Sequence, residues 1–220
     1  MPMHYYSEQD IRDIVAAVVA REGGASVPSG EKVPVEASAR HVHLTAADAE
    51  KLFGPGHGLT PKRDLSQPGQ YLSEERVKLV TAKGEFSNVA VLGPLRKETQ
   101  VELSLTDARA LGISAPVNLS GDLTGAGDVV IVGPKGVVEA RGSVIAARAH
   151  IHMTPEDARR FAVHDGQKVS LKIEGTVRPV TVHDVVIRVD KSFALAAHLD
   201  FDEANAAGGL GKDAAGRIVK

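Results

Sequence analysis

Short apolar runs separated by turns dominate the chain beyond residue 32, which is the pattern of a β-rich protein. Glycine and proline cluster between the runs, as at residues 54–56, 67–69 and 133–134. Many short strands at this spacing favour compact barrels or sandwiches over an alternating βαβ fold. The runs that we predict as strands are residues 77–80, 89–92, 129–132, 144–147, 169–173 and 180–189.

The first thirty residues have a helical pattern instead. Residues 8–21 predict an amphipathic helix with Ser7 as its N-cap, and residues 23–30, rich in glycine and serine, predict a flexible linker. The apolar stripe of this helix consists of Ile11, Ile14, Val15, Val18 and Val19. Because the linker separates the helix from the body, the stripe must dock back on the domain or bind another protein, and we favour the second.

A histidine pair occurs twice with its surrounding residues preserved. The first pair is His41 and His43, and the second is His150 and His152, 109 residues further along the chain. In a strand, residues i and i+2 point to the same face roughly 6–7 Å apart, so each pair presents two imidazoles in one direction. Imidazole is the commonest metal ligand in proteins. Two related subdomains that present metal ligands across a shared seam are a better interpretation than two pairs on solvated strands.

The duplication predicts the domain organisation. We expect a mainly β protein with short helices, built as two related β-barrel-like domains that arose by internal duplication and are preceded by the amphipathic helix. The helix and linker would occupy residues 1–31, the first barrel about residues 32–125, and the second barrel residues 126–220, with a possible exchange of segments between the barrels.

A short helix is predicted after each histidine pair. Thr45 and Thr154 are suitable N-caps, since each is followed three residues later by an aspartate, and Pro155 is suited to a first helical position. Residues 106–112 resemble a third copy of this helix.

Aligning the third copy through Thr106 places Glu102 opposite His41 and His150, the first histidine of each pair. We infer that Glu102 is a metal ligand. The alternative is an ordinary solvated glutamate on a strand. A fifth histidine, His198, ends an apolar stretch and precedes an acidic turn, which is a common place for a functional side chain.

Composition limits the chemistry of such a site. The 220 residues carry a formal net charge of −2 and include no cysteine. Disulfides, zinc–thiolate sites and a cysteine nucleophile are therefore excluded, and a metal must be held by histidine, carboxylate and water. Without a basic field we expect no nucleic-acid partner. Without a leader or an apolar run of about 20 residues, we expect a soluble intracellular protein that does not enter a membrane.

Basic residues accompany the candidate ligands. Arg40 directly precedes the first histidine pair, and Arg96 follows a Gly-Pro turn and precedes the strand of Glu102. An arginine beside a metal is typical of a site that binds phosphate or carboxylate. A further basic stretch includes Lys78 and Lys83. Together these cations favour a small polyanionic substrate.

Four ordered motifs resemble the PduL-type phosphate propanoyltransferases, the phosphotransacylase family of bacterial microcompartments. The motifs are residues 38–44, residues 93–96 with 100–104, residues 149–153 and residues 198–205. The resemblance covers about residues 32–207 and implies two β-barrel-like domains with an active site and two zinc ions between them. It implies that the first zinc is held by His41, His43 and Glu102, the second by His150, His152 and His198, and phosphate by the catalytic residue Arg96.

The resemblance also implies substrates and partners. Coenzyme A is expected near Ala39, Arg40, His41 and Asn205, with Lys78 and Lys83 as weaker candidates. The reaction would be the reversible transfer of a propanoyl, or another short acyl, group between coenzyme A and inorganic phosphate in propanediol-type metabolism. The N-terminal helix would bind shell or core proteins and place the enzyme inside a cytoplasmic microcompartment. A homo-oligomer is an open possibility.

Two other classes of function fit the same residues. A zinc-dependent hydrolase of esters or phosphoesters would use the histidines and arginines without needing phosphate as a substrate. A non-catalytic interaction module would use its metals only for stability and its helix for binding.

Overall fold

A computed structural model describes residues 31–220, together with Ser7 and Gln9. The predicted N-terminal helix and linker lie outside the described residues, apart from Ser7 and Gln9. Residues 32–220 belong to one structural unit that contains both histidine pairs. Among the described residues, no helix combines the length and the apolar character that crossing a bilayer requires.

Fourteen strands and four short helices make up this unit. The strands are β1 (Val33–Ser38), β2 (His41–His43), β3 (Pro61–Asp64), β4 (Tyr71–Val80), β5 (Glu85–Gly93), β6 (Gln100–Leu103), β7 (Val117–Asn118), β8 (Gly127–Val132), β9 (Val137–Ala147), β10 (His150–Met153), β11 (Lys168–Glu174), β12 (Val180–Val189), β13 (Ala196–Asp200) and β14 (Ala215–Val219). The helices are α1 (Ala46–Phe53), α2 (Leu105–Leu111), α3 (Pro155–Arg160) and α4 (Phe201–Ala206). All six apolar runs predicted as strands lie within strands.

The strands close into two barrels. In the first barrel, hydrogen-bonded neighbours follow the order β4-β5-β2-β6-β9-β8 and return to β4. Two short strands lie outside this circle: β3 pairs with β4, and β7 pairs with β9. In the second barrel the order is β1-β13-β10-β12-β11-β14, and β14 pairs with β1 to complete the circle. The expectation of a mainly β protein with two related barrel-like sheets is confirmed.

The barrels exchange one strand. β9 precedes the second histidine strand in the chain as β1 precedes the first, yet β9 pairs with β6 and β8 in the first barrel. β1 in turn pairs with β13 and β14 in the second barrel. Each barrel is thus closed by the leading strand of the other repeat. The division at residues 125 and 126 into two domains stays a prediction.

Alternation of buried and exposed residues explains the strands. Along β11, Val169, Leu171 and Ile173 are buried, whereas Lys168 and Lys172 are exposed. This period of two places one face of the sheet in the barrel interior. The interior of the first barrel is filled mainly by fully buried aliphatic side chains, among them Val42, Leu44, Leu79, Val91, Val101, Ile131 and Val144.

All four helices begin with the same hydrogen bond. Thr45, Ser104, Thr154 and Asp200 are the N-caps, and the side chain of each accepts the backbone N–H of the residue three positions later. Thr45, Ser104 and Thr154 come within two residues after the end of a strand that carries a candidate ligand, and Asp200 is the last residue of such a strand. The predicted caps Thr45 and Thr154 are confirmed.

The alignment of the third copy through Thr106 is wrong. Helix α2 begins at Leu105, because the hydroxyl of Ser104 caps it by accepting the N–H of Asp107. Serine and threonine cap helices equally by this geometry, so the threonine alone could not set the register. The corrected register matches Glu102 with the second histidine of each pair.

With the corrected register, four strand–cap–helix units are visible. The residue two positions before the cap is His43 in the first, Glu102 in the second, His152 in the third and His198 in the fourth. The fourth unit, β13 with α4, escapes recognition in the sequence because its cap is Asp200 in place of threonine or serine. The same local geometry therefore places one candidate ligand at the end of each of four strands.

The first turn of α4 contains an unusual carboxyl group. Glu203 accepts the backbone N–H of Asp200 at 3.0 Å, and the carboxylate of Asp200 accepts the N–H of Glu203 at 2.8 Å. Burial raises the pKa of Glu203 to about 7, and the nearby charges of Asp200 and Asp202 act in the same direction. The folded protein therefore binds the proton of Glu203 more tightly than the unfolded chain does.

This raised pKa predicts how stability depends on pH. The contribution of Glu203 to the free energy of unfolding is fully present below the unfolded-state pKa and is lost as the pH rises toward 7. Glu203→Gln cannot ionise, so at pH 8 it should unfold with a free energy on the order of 1 kcal/mol higher than the parent chain. Urea unfolding at several pH values measures the difference, which should narrow toward pH 4.5. The exposed Glu98→Gln is the control, and equal pH profiles for the parent and Glu203→Gln would contradict the prediction.

Candidate active site

A cavity of about 490 Å³ lies between the two barrels and is lined by residues of both. Its volume is in the range of small-molecule sites. All six predicted metal ligands line it, namely His41, His43, Glu102, His150, His152 and His198. The exchanged strand β1 and the antiparallel pairs β2–β6 and β10–β13 bring these side chains together.

The first group of candidate ligands is His41, His43 and Glu102. In the register of β2 and β6, His41 lies directly across from Glu102. The Nε2 atoms of the two histidines are 3.2 Å apart, and Glu102 oxygens lie 3.5 Å from His41 Nε2 and 3.8 Å from His43 Nε2. The Nδ1–H of His41 donates to the carbonyl of Ala39 at 2.8 Å, which fixes the ring so that Nε2 points into the group.

Charge is concentrated in this buried group. Burial by itself would raise the pKa of Glu102, but His41 and His43 hold it well below its ordinary value. Burial lowers the pKa of His41, yet the Glu102 carboxylate outweighs it and the net shift is upward. For His43, burial together with the charges of His41 and Arg96 places the pKa well below its ordinary value. Glu102 is thus an ionised carboxylate that depends on a neighbouring positive charge.

This donor set fits a metal ion. The three ligand atoms lie within 4.8 Å of one another and belong to buried residues. Around a tetrahedral zinc ion with ligand bonds of about 2.0–2.1 Å, adjacent ligand atoms are about 3.3–3.4 Å apart. The 3.2 Å between the two Nε2 atoms is close to this value, and each Nε2 has a different Glu102 oxygen nearby, at 3.5 Å for His41 and 3.8 Å for His43. Two imidazoles and one carboxylate are also the ligand types of catalytic zinc sites.

The second group is His150, His152 and His198. The ring centroids are 4.6 Å apart for His150 and His152, 5.2 Å for His150 and His198, and 4.9 Å for His152 and His198. The Nδ1–H of His150 donates to the carbonyl of Arg148 at 2.8 Å, which repeats the contact of His41 in the other barrel. The three rings are therefore gathered, although more loosely than the first group.

The second group carries no negative charge of its own. Burial is the main cause that lowers the pKa of His150 to about 4, that of His152 to about 2 and that of His198 to about 4. All three rings are therefore neutral at pH 7, which is the form that binds a metal. Any cation held here keeps its full charge, whereas Glu102 reduces the charge of one held by the first group.

A hydrogen-bond network connects Glu102 to Arg96. Gln100 donates from Nε2 to Glu102 Oε1 at 2.6 Å and to the hydroxyl oxygen of Ser120 at 3.0 Å. Arg96 donates from Nη1 to the same Ser120 oxygen at 3.0 Å, and its backbone N–H donates to Leu44. Because one nitrogen of the guanidinium is held, the remaining N–H groups of Arg96 keep a fixed direction at the cavity wall.

Arg40 has a structural partner. It forms a two-pronged ion pair with Asp107, with N–O distances of 2.8 and 2.7 Å, and its guanidinium lies 4.1 Å from the centre of the Phe86 ring. Arg40 and Ala39 both line the cavity, as expected for residues near coenzyme A. The guanidinium of Arg40, however, is engaged with the first turn of α2.

Three other residues expected near coenzyme A are not brought to the cavity wall. Lys78 pairs with Glu85 at 3.0 Å, Lys83 donates to the carbonyl of Arg109, and Asn205 is exposed on α4. Arg63 and Arg76, from the same basic stretch of the sequence, do line the cavity.

Among the polar residues that sequence reasoning missed, Gln67, Ser120 and Arg188 line the cavity, and Gln100 contacts the lining residue Glu102. Gln67 is buried and its Nε2 lies 3.4 Å from Nε2 of His198, while its amide also bonds the backbone of Ala194 in the other barrel. Gln100 and Ser120 form the network beside Glu102, and Arg188 lines the wall near the second group. Of these residues, only Gln100 could have been found from the sequence, because the corrected register aligns it with His41 and His150.

The fold and the site together define a class of protein, a double β-barrel enzyme with a candidate metal centre in an arginine-lined cavity. The model of the phosphate propanoyltransferase family matches residues 34–209. The chain therefore belongs to the phosphate propanoyltransferase family, a family of acyltransferases.

Individual relatives agree with this assignment. A phosphate propanoyltransferase of Clostridioides difficile strain 630 is 48% identical over 213 residues, which cover 97% of this chain and 99% of that protein. Those of Leptotrichia buccalis and Thermotoga maritima are 54% and 51% identical, and in both comparisons 79% of this chain and 82% of the relative are covered.

Proposed function

We propose that this chain transfers a propanoyl group reversibly between coenzyme A and inorganic phosphate at a site with two zinc ions. The observation that carries the proposal is that one inter-barrel cavity contains both histidine groups, Glu102 and Arg96 in a chain of this family. Short acyl groups other than propanoyl are compatible with the same residues.

Two sets of ligands support the two zinc ions. His41, His43 and Glu102 would hold the first, and His150, His152 and His198 would hold the second. In the first set, burial lowers the pKa of His41 but the Glu102 carboxylate raises it further, so the proton of His41 takes the place that a bound cation would fill beside Glu102. Zinc bound at these residues supplies a Lewis acid for the oxygen atoms of a thioester or phosphate.

The reaction needs little proton transfer. Phosphate is already an anion at pH 7, and one of its oxygens can attack the thioester carbonyl carbon directly. The new C–O bond forms, the C–S bond breaks, and coenzyme A leaves as the thiolate, which takes up, through water, the proton that the acyl phosphate releases. This direct route requires no general base, and Glu102 would be a weak one, because its lowered pKa makes the carboxylate a poor proton acceptor.

Arg96 positions phosphate for this attack. Its Nη1–H is engaged with Ser120, and the remaining N–H groups offer the fork that binds two phosphate oxygens. The buried wall around it excludes water, which strengthens the charge contact and protects the acyl phosphate from hydrolysis. Arg96 is thus the residue that we assign to phosphate and to catalysis.

Coenzyme A is proposed to enter along residues 39–41. Ala39, Arg40 and His41 line the cavity there, and the exposed Arg63 and the half-buried Arg76 line it as well. Their positive charge suits the phosphate groups of coenzyme A. Lys78, Lys83 and Asn205 stay predictions without a contact to this wall.

Metal analysis joined to an activity assay tests the whole proposal. The purified protein should contain about two zinc ions per chain, and His152→Ala about one, because each group has only three protein ligands. The exposed His183→Ala is the control and should keep both. Release of coenzyme A from propanoyl-CoA should require phosphate and be lost with a chelator, and acetyl-CoA and butanoyl-CoA measure the acyl preference.

The alternatives give different results in this experiment. A hydrolase would release coenzyme A equally well without phosphate. A metal-stabilised interaction module would release none, and chelation would only lower its melting temperature. A metal-free protein with full activity would contradict the zinc proposal itself.

Arg96→Ala isolates the role of the phosphate-binding residue. Loss of a charged donor at a reacting oxyanion lowers turnover by about 10²–10³-fold, and the zinc content should stay unchanged because Arg96 is not a ligand. Steady-state kinetics and elemental analysis measure the two effects, with Arg109→Ala on the exposed side of α2 as control. Loss of zinc in Arg96→Ala would show that its role is structural.

We also propose that residues 1–31 direct the enzyme into a bacterial microcompartment and that the amphipathic stripe of residues 8–21 binds a shell or core protein. The motifs of the microcompartment family and the stripe itself support this. A fluorescent protein fused to residues 1–31 should copurify with microcompartments, whereas a fusion with Val15→Glu and Val18→Glu should stay in the soluble fraction. Equal recovery of the two fusions would contradict the targeting role.

A further inference from the structure

Arg188 is a cavity arginine that has no hydrogen-bond or ion-pair partner in the described part of the chain. It lies on β12, where it is the register partner of His152 on the parallel strand β10. Its side chain is half-buried and lines the cavity. Within residues 31–220 its guanidinium makes no hydrogen bond or ion pair, and its nearest described ring contact is Phe193, whose centre lies 5.7 Å from Cζ.

The other arginines of the cavity wall behave differently. Arg40 is held by Asp107, Arg76 donates to backbone carbonyls, and Arg96 donates to Ser120. Arg148 donates to the carbonyl of Val117 at 3.4 Å. Arg63 has no such partner either, but it is exposed and water solvates it. Arg188 combines partial burial with a free guanidinium, and withdrawing a charge from water without a partner is unfavourable.

Nearby acids offset this burial only in part: burial lowers the pKa of Arg188, and the charges of Glu102 and Asp165 oppose that effect without forming an ion pair with it among residues 31–220. The second histidine group contains no carboxylate, and the only acid of the metal-ligand sets, Glu102, belongs to the first group. Burial lowers the pKa of Arg96, Glu102 opposes that effect, and the charge of Arg188 adds to it. Two guanidinium groups therefore act on each other across one cavity, and an anion between them would relieve their repulsion.

We propose that Arg188 is a second phosphate-binding residue, which holds the phosphate, or the phosphoryl group of the acyl phosphate, at the second histidine group while Arg96 holds it from the first. The ligand class is a phosphate dianion, whose oxygens can accept from two guanidinium forks at once. The inference rests on the proposed function, because that function supplies phosphate as the substrate.

The division of charge explains why phosphate would lie toward this end of the cavity. Arg188 lies beside the second group, which contains no carboxylate, whereas Glu102 adds a negative charge to the first group. A dianion therefore gains most by lying against the second group, and the less highly charged thioester is left for the first. Arg188 would thus fix which end of the cavity each substrate occupies.

Two variants separate charge from fork geometry. Arg188→Gln removes the charge, and Arg188→Lys keeps the charge and most of the stem but removes the fork. Titration calorimetry of inorganic phosphate into the zinc-loaded protein should show a Kd raised about 10- to 100-fold in Arg188→Gln, the range for losing a charged hydrogen bond. Arg188→Lys should show a smaller increase. Arg178→Gln, an exposed arginine outside the cavity, is the matched control.

Kinetics give a second readout. The KM for phosphate should rise in Arg188→Gln, while the KM for propanoyl-CoA and the zinc content stay within about twofold of the parent. Unchanged phosphate affinity in both variants, or an equal rise in both KM values, would overturn the inference. Calorimetry needs no turnover, so it measures phosphate binding separately from the reaction. An enzyme that binds phosphate but releases coenzyme A without phosphate would contradict the proposed function. In that case the Kd for phosphate alone would decide the role of Arg188.

Discussion

The burial of Glu102 is the constraint around which the cavity is organised. An ionised carboxylate away from water is tolerated only beside positive charge and hydrogen-bond donors. Gln100 supplies a donor at 2.6 Å, and His41 and His43 keep the pKa of Glu102 well below its ordinary value. The strands β2 and β6 must therefore keep the register that sets His41 across from Glu102. Arg96 lies in the connection between β5 and β6, and the same register brings it to the cavity wall.

The strand–cap–helix unit is the local device that makes this arrangement repeatable. Each cap fixes the point at which a strand turns into a helix, and the side chain two residues earlier is thereby aimed at the seam between the barrels. Four such units converge without long loops. Ligand positions on strands whose ends are fixed by hydrogen bonds move little, which is what a metal centre requires of its donors.

Much of this arrangement can be predicted from the sequence, and each incorrect or missed prediction has a specific physical cause. The strands follow from their apolar runs, and His41, His43, His150 and His152 follow from a local repeat. Glu102 was inferred through an incorrect alignment, because Thr106 and Ser104 are both good caps and only backbone geometry distinguishes them. Gln67 and Arg188 reach the cavity through pairing between distant strands, and no short-range pattern encodes that. Lys78 and Lys83 were grouped by charge alone, whereas the sheet turns them toward Glu85 and the carbonyl of Arg109.

The exchange of β1 and β9 has a consequence for how such a molecule can have arisen. A polypeptide with only one repeat would contain a leading strand that its own barrel does not accept, and it would lack the strand that closes that barrel. Two copies would complete each other by swapping leading strands, and gene fusion would then preserve the intertwined pair as one chain. The double barrel thus carries the topology of a fused homodimer, in which the cavity between the barrels is the former subunit boundary.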